Sequence, residues 1–323
     1  MLKINSVVCG DSREEIQNIE DNSVQLTLTS PPYYKQREYD AAGIGQEDTV
    51  FKYILELCAV FDAVIRATKE NGIIIVNLGD KTINGSLQLV PHKFAQMVLE
   101  TTELKLINVV EWIKSNPNPM PTARTLTSAH EPFFVFAKSK NYKFNIDCYM
   151  QEEIVKKPFS ETMGKKYFSL IMNSELTPIE KANAVDDVLK TIEQIKSGEI
   201  TEFRMKIRGI HKLPYGGQAG GRLNQINNNG YTIIKMYGKK MKKDWVECAV
   251  STPKIGEIHP AVYPEQMISE FIKLYTDVGD LVLDPFAGSG VSPVAAKKLG
   301  RNYIAIDTSQ QYCDYMENVL SGF

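Results

Sequence analysis

The 323-residue sequence has few of the residues that mark several common classes of protein. Its five cysteines, Cys9, Cys58, Cys148, Cys248 and Cys313, are scattered and form no Cys-x-x-Cys pair. That distribution predicts reduced thiols in a cytoplasmic protein rather than a disulfide framework. The sequence has only four histidines, and no second histidine completes an HExxH motif after His130-Glu131, so we predict no metal site.

Long apolar runs and an excess of charge of one sign are also absent. The start of the chain, Met1 to Asn5, lacks the apolar core of a signal peptide, and apolar runs such as Ile73 to Val76 are only of strand length. We therefore expect neither a signal peptide nor a membrane span. The formal net charge is -2, so the chain as a whole lacks the basic character typical of nucleic-acid-binding proteins. Any contact with nucleic acid must come from a local patch.

The stretch Thr29-Ser30-Pro31-Pro32-Tyr33 closes an alternating run, Val24 to Thr29, that predicts a strand. Its two prolines have a fixed φ and no N–H, which leaves a rigid backbone whose carbonyls are free to accept hydrogen bonds. The Ser30 hydroxyl adds an acceptor, and the Tyr33 ring adds a face on which a base could stack. Such a group suits a flat ring that carries an amino group. Taken alone, the five residues are better explained as a loop that ends a strand.

The first half of the chain alternates strand and helix patterns. A short buried strand begins at Val7 and leads to Asp11, which can either cap the next helix or present a carboxylate to a ligand. Apolar residues from Phe51 to Ile65 fall on one helical face, and Asn71-Gly72 ends that helix. The run Ile73 to Val76, apolar on both faces, is typical of a parallel strand covered by helices. The remaining predictions for this half are a polar turn at Asn77 to Asp80, a helix at Pro91 to Thr101, and strands at Ile107 to Lys114 and Phe133 to Phe136.

The composition changes at about Met150. A helix is predicted over 177–196, with Ile179, Val185, Val188 and Leu189 among the residues on its inner side. The following segment, 203–243, contains no acidic residue and combines basic residues with amides, glycines and tyrosines. This composition suits phosphate contacts and base-edge readout, although a charge run can also be only a solvated face. The basic candidates for these contacts are Arg204, Lys206, Arg208, Lys212, Arg222, Lys239, Lys240, Lys242 and Lys243.

The last part returns to a strand, a glycine turn, a helix and a second strand that ends in an acid, which is the pattern of a nucleotide-binding half. The two glycines of the turn let the backbone approach a ligand closely, and Asp307 is placed to accept both hydroxyls of a ribose. A pyrophosphate loop is disfavoured because Pro293 occupies the third glycine position of GxGxxG, and no GK[ST] follows. Asp284 would repel a phosphate but could pair with a cation. The implied cofactor is a nucleoside with a positive group and no phosphates, which describes S-adenosylmethionine.

Together these residues resemble one family, the DNA amino-methyltransferases. The motif Asp284-Pro285-Phe286-Ala287-Gly288-Ser289-Gly290, with His259-Pro260-Ala261 upstream and Asp307 downstream, looks like their cofactor half. Thr29 to Tyr33 is similar to their catalytic motif. The order of the two motifs, with a variable region between them, resembles the circularly permuted beta class. The Ser form of the catalytic motif is typical of cytosine-N4 enzymes, whereas adenine-N6 enzymes generally carry Asp or Asn. One departure is Val291-Ser292-Pro293, where Thr-Thr is common.

The resemblance implies an α/β fold with a doubly wound, mostly parallel sheet, that is, a circularly permuted Rossmann-like methyltransferase fold with an inserted target-recognition region. The expected divisions are 1–150 for the catalytic half, 151–250 for target recognition and DNA binding, and 251–323 for the cofactor half. The expected catalytic residues are Ser30, Pro31, Pro32 and Tyr33. The expected cofactor-binding residues are Asp11, at the adenine amino group, Asp307, on the ribose hydroxyls, and Asp284, Pro285, Phe286, Ala287, Gly288 and Gly290.

The activity implied is transfer of a methyl group from S-adenosylmethionine to the N4 amino group of a cytosine flipped out of double-stranded DNA. Adenine-N6 methylation is the main alternative, because both bases carry an amino group. A DNA-binding specificity protein with an inactive methyltransferase half is another alternative, and methylation of a protein or RNA amide is a weaker one. Cytosine C5 methylation is discounted because no cysteine follows a proline. The expected partners are double-stranded DNA and a cognate restriction endonuclease that acts on the same site without a stable complex, while the oligomeric state is left open.

Overall fold

The computed structural model describes residues 1–36, 43–117, 125–152, 164–213, 220–236, 239–250 and 263–323, and only the backbone of 149–152, 220 and 239–241. Three sets of residues lie outside these ranges: His259-Pro260-Ala261 of the cofactor-half resemblance, the proline-rich stretch Asn118 to Pro121, and two tyrosines of the acid-free segment, Tyr215 and Tyr237. The strands are β1 (Ser6–Cys9), β2 (Val24–Thr29), β3 (Thr68–Asn77), β4 (Thr82–Ile83), β5 (Ser86–Leu87), β6 (Lys105–Lys114), β7 (His130–Ala137), β8 (Met150–Glu152), β9 (Glu202–Ile207), β10 (Tyr231–Met236), β11 (Lys239–Met241), β12 (Trp245–Cys248), β13 (Leu281–Asp284) and β14 (Asn302–Asp307). The helices are α1 (Ser12–Glu15), α2 (Val50–Ala67), α3 (Val90–Thr101), α4 (Ile146–Tyr149), α5 (Lys165–Met172), α6 (Pro178–Lys196), α7 (Gly220–Asn229), α8 (Glu265–Tyr275), α9 (Val291–Lys298) and α10 (Gln310–Ser321).

One eight-stranded sheet organises the part of the molecule that carries both sequence motifs. Its strand order is β1-β14-β13-β2-β3-β7-β6-β12. The β7 strand runs antiparallel to its two neighbours, and the other neighbouring strands pair in parallel. The predicted doubly wound, mostly parallel α/β sheet is therefore confirmed.

Apolar side chains on both faces of the sheet explain why it is covered by helices on two sides. Along β3, Ile74 and Val76 belong to a core packed with residues of α2 and α3, whereas Ile73 and Ile75 belong to a second core. That second core contains residues of α8, α9 and α10. Alternate side chains of a strand point to opposite faces, so a run of four apolar residues feeds both cores.

One boundary differs from the prediction. The α2 helix ends at Ala67 and β3 begins at Thr68, so Asn71-Gly72 lie inside a strand rather than at the end of the helix. Pairing decides this boundary, because Thr68 adopts an extended conformation and lies opposite Val24 of β2. Contacts across the sheet override the local tendency of Asn-Gly to form a turn. Among the described helices, none has the length and apolar character needed to cross a membrane.

The chain divides into two compact units, Met1–Tyr149 with Lys243–Phe323, and Met150–Lys242. The second unit has a core of its own, built mainly from α5, α6, β9 and β10. The inner face of α6 differs from the prediction. Ala184, Val188, Thr191 and Ile195 are buried, whereas Ile179 and Leu189 are 75% and 50% exposed. The helix is thus rotated relative to the predicted face, because its buried apolar residues, which include the predicted Val188, join a core with residues of α5, β9 and β10, whereas Ile179 and Leu189 are exposed.

Candidate active site

The two sequence motifs lie at the ends of neighbouring strands. The β13 and β2 strands pair in parallel in the middle of the sheet, with Leu283 opposite Thr27. From β2 the chain continues through α2 to β3 on one side, and from β13 it continues through α9 to β14 on the other. This reversal of strand order is a topological switch point, where the carboxyl ends of the strands leave a crevice for ligands.

A buried hydrogen bond joins the two motifs directly. The Thr29 hydroxyl donates to Asp284 Oδ1 at 2.7 Å, and the Phe286 backbone N–H donates to the same oxygen at 3.2 Å. Burial raises the pKa of Asp284 to about 6, while the hydrogen bonds from Thr29 and Ser292 act in the opposite sense. Ser30, the residue after Thr29, therefore lies beside the start of the glycine turn.

The backbone of the glycine turn forms a hydrogen bond with the Asp307 carboxylate. Gly288 and Gly290 have φ angles of 52° and 79°, the left-handed region that glycine adopts without strain. The Gly288 N–H donates to one oxygen of Asp307 at 2.8 Å, and the Ser309 N–H donates to the other at 2.9 Å. Burial raises the pKa of Asp307, and these N–H groups oppose the rise. Each oxygen retains a lone pair, so the carboxylate fits the two hydroxyls of a ribose.

Asp11 has the capping role that the sequence left open. Its carboxylate accepts the Arg13 backbone N–H at 2.8 Å and forms an ion pair with the Arg13 guanidinium at 2.6 Å. The hydrogen bond from Arg13 lowers the pKa of Asp11. The next residue, Ser12, is buried and donates its hydroxyl to the Pro285 carbonyl, so α1 supports the glycine turn. A contact of Asp11 with the cofactor stays a prediction.

The Ser-Pro-Pro-Tyr corner is held in place by a hydrogen bond from α2. The Tyr53 hydroxyl of α2 donates to the Pro32 carbonyl at 2.8 Å, so this carbonyl is already engaged, although the sequence leaves it free. The Tyr33 hydroxyl lies 2.6 Å from Asn77 Oδ1 and 3.1 Å from Glu131 Oε2. Burial, with the Glu131 carboxylate adding to it, holds the pKa of Tyr33 well above its usual range, so the phenol is a neutral hydrogen-bond donor.

Four further residues join this corner, and none of them is among the predicted catalytic or cofactor-binding residues. They are Asn77, Lys114, Glu131 and Tyr263. The Tyr263 hydroxyl also donates to Asn77 Oδ1, at 3.0 Å. The Lys114 ammonium pairs with Glu131 and lies 5.0 Å from the centre of the Trp112 ring. The signals available in the sequence were a polar turn at 77–80 and an incomplete metal motif at His130-Glu131, and neither indicates that these side chains meet.

The basic residues predicted to contact DNA, all in the second unit except Lys243, have different surroundings. Arg204 is exposed and Lys206 half-exposed on β9, between the buried side chains Phe203, Met205 and Ile207. Arg208, in contrast, is engaged in the fold, because its guanidinium donates to both oxygens of Glu180 at 2.9 Å. The other described candidates are Lys212 and Arg222, which are exposed, Lys242, which is half-exposed, and Lys243, whose ammonium lies 4.8 Å from the centre of the Trp245 ring. For Lys239 and Lys240 the structure describes only the backbone, in β11.

A family model described as DNA methylase matches residues 24–318, which is most of the chain. The match spans both the Ser-Pro-Pro-Tyr corner and the glycine turn, the two elements that the sheet brings together. The chain therefore belongs to the N6/N4 DNA methylase family. Members of this family use S-adenosylmethionine as methyl donor, and the carboxylate and glycine turn described above fit a nucleoside without phosphates.

Comparison with individual proteins agrees with the family. The type II methyltransferase M.MwoI of Methanothermobacter wolfeii is 31% identical over 164 residues, which are 49% of this chain and 24% of that protein. The matched residues thus span about a quarter of the length of that relative. The structure of PvuII DNA methyltransferase, described as cytosine-N4-specific, matches with a TM-score of 0.60 and 15% identity over 100% of this chain and 95% of that one. A candidate DNA modification methylase from Thermus thermophilus, solved with S-adenosyl-L-methionine, has a TM-score of 0.56 and 18% identity, and the match covers 98% and 93% of the chains.

Proposed function

We propose that the protein is a site-specific methyltransferase that transfers the methyl group of S-adenosylmethionine to the N4 amino group of a cytosine in double-stranded DNA. The observation that carries this proposal is the hydrogen bond between Thr29 and Asp284 at 2.7 Å. It joins the strand that ends in Ser30 to the strand that opens the glycine turn. A methyl donor held by that turn and an amino group held at Ser30 are therefore neighbours.

The chemistry of the reaction explains why these residue types are needed. The lone pair of an aromatic amino group is delocalised into its ring, which makes the nitrogen a poor nucleophile. The Ser30 hydroxyl and the adjacent backbone carbonyl accept its N–H groups and favour a pyramidal nitrogen. The cofactor, when bound, supplies an activated methyl group on a sulfonium. The contribution of the protein is mainly to position the two reactants, which can supply a large part of the rate enhancement.

Two carboxylates next to the glycine turn, at the ends of β13 and β14, have distinct proposed roles in holding the cofactor. Asp307 accepts the ribose hydroxyls with the lone pairs that its backbone partners leave free. Asp284, buried and joined to Thr29, supplies negative charge close to the place of the sulfonium. Tyr33 stacks on the target base, which has to be flipped out of the duplex at a cost of a few kcal/mol.

Cytosine N4 is favoured over adenine N6 by the serine at position 30 and by the name of the PvuII neighbour. The test is methylation of unmodified DNA with S-adenosylmethionine that carries a deuterated methyl group. The DNA is then digested, and the nucleosides are separated by chromatography with mass detection. We expect labelled N4-methylcytosine. Labelled N6-methyladenine would support the alternative base, and the absence of label from every nucleoside would refute the proposed activity.

The partners follow from the same proposal. Basic side chains of the second unit, such as Arg204 and Lys206, contact DNA phosphates and so offset the cost of base flipping. We further propose that residues 151–250 select the target site. A restriction endonuclease for the same site is the expected functional counterpart, and both proteins act on DNA in the cytoplasm.

An inactive specificity protein is the alternative from another functional class. The two proposals differ in cofactor binding, because a scaffold without activity has no need to retain S-adenosylmethionine. Isothermal titration of the protein with S-adenosylmethionine separates them. Saturable binding that Asp307→Ala weakens at least ten-fold supports the enzyme. No heat of binding, together with tight and sequence-specific binding to DNA, would support the scaffold.

A further inference from the structure

The turn Asn77-Leu78-Gly79-Asp80 after β3 contacts Tyr33 at two separate points. The Asn77 amide oxygen accepts the Tyr33 hydroxyl at 2.6 Å. Gly79 lies so close to the ring that a Cβ at this position would overlap the ring carbons Cε2 and Cδ2. The same turn continues to Asp80, whose backbone carbonyl accepts the Gln36 side chain at 2.9 Å. This turn therefore contacts the hydroxyl of Tyr33, packs against its ring, and binds the Gln36 side chain that follows Tyr33 in the chain.

The orientation of the Asn77 amide is determined by its partners. Asn77 is 0% exposed, and its Nδ2 donates to the Pro132 carbonyl at 2.9 Å. Its Oδ1 accepts the hydroxyls of Tyr33 and Tyr263. Exchanging the two ends of the amide would place its oxygen against the Pro132 carbonyl, which has no hydrogen to donate. One orientation alone satisfies this buried group, so the amide is a fixed acceptor for both phenols.

The Tyr33 hydroxyl has one hydrogen to donate, and both an amide oxygen of Asn77 and a carboxylate oxygen of Glu131 lie within its reach, while the Ser30 side chain is a further hydrogen-bond partner of the phenol. The contact with Asn77 Oδ1 is shorter, at 2.6 Å, than the contact with Glu131 Oε2, at 3.1 Å. Lys114 pairs with the other oxygen of Glu131, so the charge of that carboxylate is already compensated. The phenol hydrogen therefore points to the amide. Asn77, rather than Glu131, sets the direction of the Tyr33 side chain.

We propose that Asn77 is a positioning residue for methyl transfer, because its buried amide holds the Tyr33 ring in the orientation that stacks on the target base. This inference rests on the proposed function. The amide acts through Tyr33, since its hydrogen bonds within the described part of the chain go to Tyr33, Tyr263 and the Pro132 carbonyl rather than to the glycine turn. Loss of the amide should therefore impair turnover and leave cofactor binding intact.

A double-mutant cycle on the full-length protein tests the proposal. The variants are Asn77→Ala, Tyr33→Phe and the combination, and the measured quantities are kcat, KM for DNA and KM for S-adenosylmethionine. We expect each single change to lower kcat about ten-fold and the combination to be no slower than the slower single variant, because both remove the same hydrogen bond. The KM for the cofactor should stay within about two-fold. The matched control is Asn302→Ala, which removes a hydrogen-bonded amide at the amino end of β14, with β13 and β2 lying between that strand and β3, and should keep the kcat of the unmodified protein.

Effects that multiply in the double variant, or an Asn77→Ala protein with unchanged kcat, would overturn the proposal. If Asn77→Ala does not fold, the same cycle is run with Asn77→Ser, which fills part of the space but cannot reach both phenols. If the unmodified protein methylates no DNA, the proposed function fails, and the crystal structure of the Asn77 variant decides the inference alone. A Tyr33 ring that leaves its contact with Gly79 supports it, and a ring that stays in place overturns it.

Discussion

At the scale of single residues, Ser30 is the side chain on which the proposed chemistry depends. Ser30→Ala removes the hydroxyl acceptor, together with its hydrogen bonds to Tyr33 and Tyr263, and keeps both prolines and the residues of the glycine turn. We expect methyl transfer to fall about a hundred-fold, comparable to the loss of one polar contact in a preorganised site, with cofactor affinity unchanged. Transfer of labelled methyl groups to DNA and calorimetric titration measure the two effects. Ser23→Ala, just before the same strand, is the control and should have normal activity. A fully active Ser30→Ala protein would remove this hydroxyl from the mechanism.

Gly79 is required for a spatial reason. Its φ is not positive, so alanine is compatible with the backbone, but the added Cβ would overlap two carbons of the Tyr33 ring. We therefore expect Gly79→Ala to displace the ring and to lower kcat at least about ten-fold, since base–aromatic stacking is worth ~1–3 kcal/mol. Gly322→Ala is the control, because its added Cβ would meet only the Val319 carbonyl oxygen, at 3.5 Å. Steady-state kinetics on both variants decide the matter, and normal turnover of Gly79→Ala would show that Tyr33 can stack from another position.

The buried Asp284 links stability to pH. Its pKa is raised from 3.8 to about 6, so the folded protein retains a proton that the unfolded chain loses between these values. The contribution of Asp284 to stability is therefore highest below about pH 4, falls as the pH rises to about 6 and is constant above it. Asn at this position can still accept from Thr29 and Phe286 without the charge. We expect Asp284→Asn to gain stability relative to the unmodified protein over this range, by up to about 3 kcal/mol.

Urea unfolding of the two cofactor-free proteins at pH 4.5 and pH 7.5 measures this difference. An equal difference in the free energy of unfolding at the two pH values would show that the carboxyl group titrates normally. The same variant should bind S-adenosylmethionine more weakly at pH 7.5, because the negative charge proposed to lie near the sulfonium is removed.

At the scale of elements, the basic residues on β9 and the one that follows it differ in their partners. Arg204 and Lys206 lie between buried side chains of the strand, whereas Arg208 pairs with Glu180 at the start of α6. Glu180 also completes the capping box of that helix with Thr177. We expect the double change Arg204→Ala with Lys206→Ala to lower the slope of log K against log salt by about 1.8, which is ~0.9 for each phosphate contact.

Arg208→Ala is the matched comparison for these two residues. It should lower the melting temperature by leaving the Glu180 carboxylate without its guanidinium partner, with a nearly unchanged salt slope. DNA-binding titrations at several salt concentrations and thermal unfolding of each variant give both quantities. A fall in slope for Arg208→Ala as large as one phosphate contact would assign this arginine to DNA as well.

At the scale of the whole molecule, the first and last residues of the second unit lie next to each other. Its first strand, β8, pairs antiparallel with β11, so Met150 lies opposite Met241. Residues 150–242 can therefore be replaced by a short Gly-Ser linker without stretching the chain. We expect the shortened protein to bind S-adenosylmethionine with an affinity within about two-fold of the full chain and to lose methylation of DNA.

Calorimetry and the labelled-methyl assay test both halves of this prediction. Equal DNA methylation by the shortened protein would show that the first unit alone recognises its substrate. Loss of cofactor binding would show that the first unit does not fold without the second.

The sequence by itself determined what depends on neighbours along the chain. The β2 strand ends at Thr29 as its alternation predicts, α6 begins after Thr177, and glycines stand at the left-handed positions 288 and 290. Motif order also indicated the family and, through it, the sheet. These features follow from the backbone preferences of single residues and from the spacing of apolar residues. Both are specified by a few adjacent positions in the chain.

Tertiary structure alone decided which distant side chains meet. The Thr29 hydroxyl donates to Asp284. The hydroxyls of Tyr33 and Tyr263 both donate to the amide oxygen of Asn77. Arg208 pairs with Glu180. The rotation of α6, which leaves Ile179 exposed, belongs to the same group. Such contacts depend on how strands are ordered in a sheet and how helices pack on it. The residues around a polar side chain do not indicate a distant partner. The two side chains pair because the fold buries them in the same place, where each needs a hydrogen-bond partner.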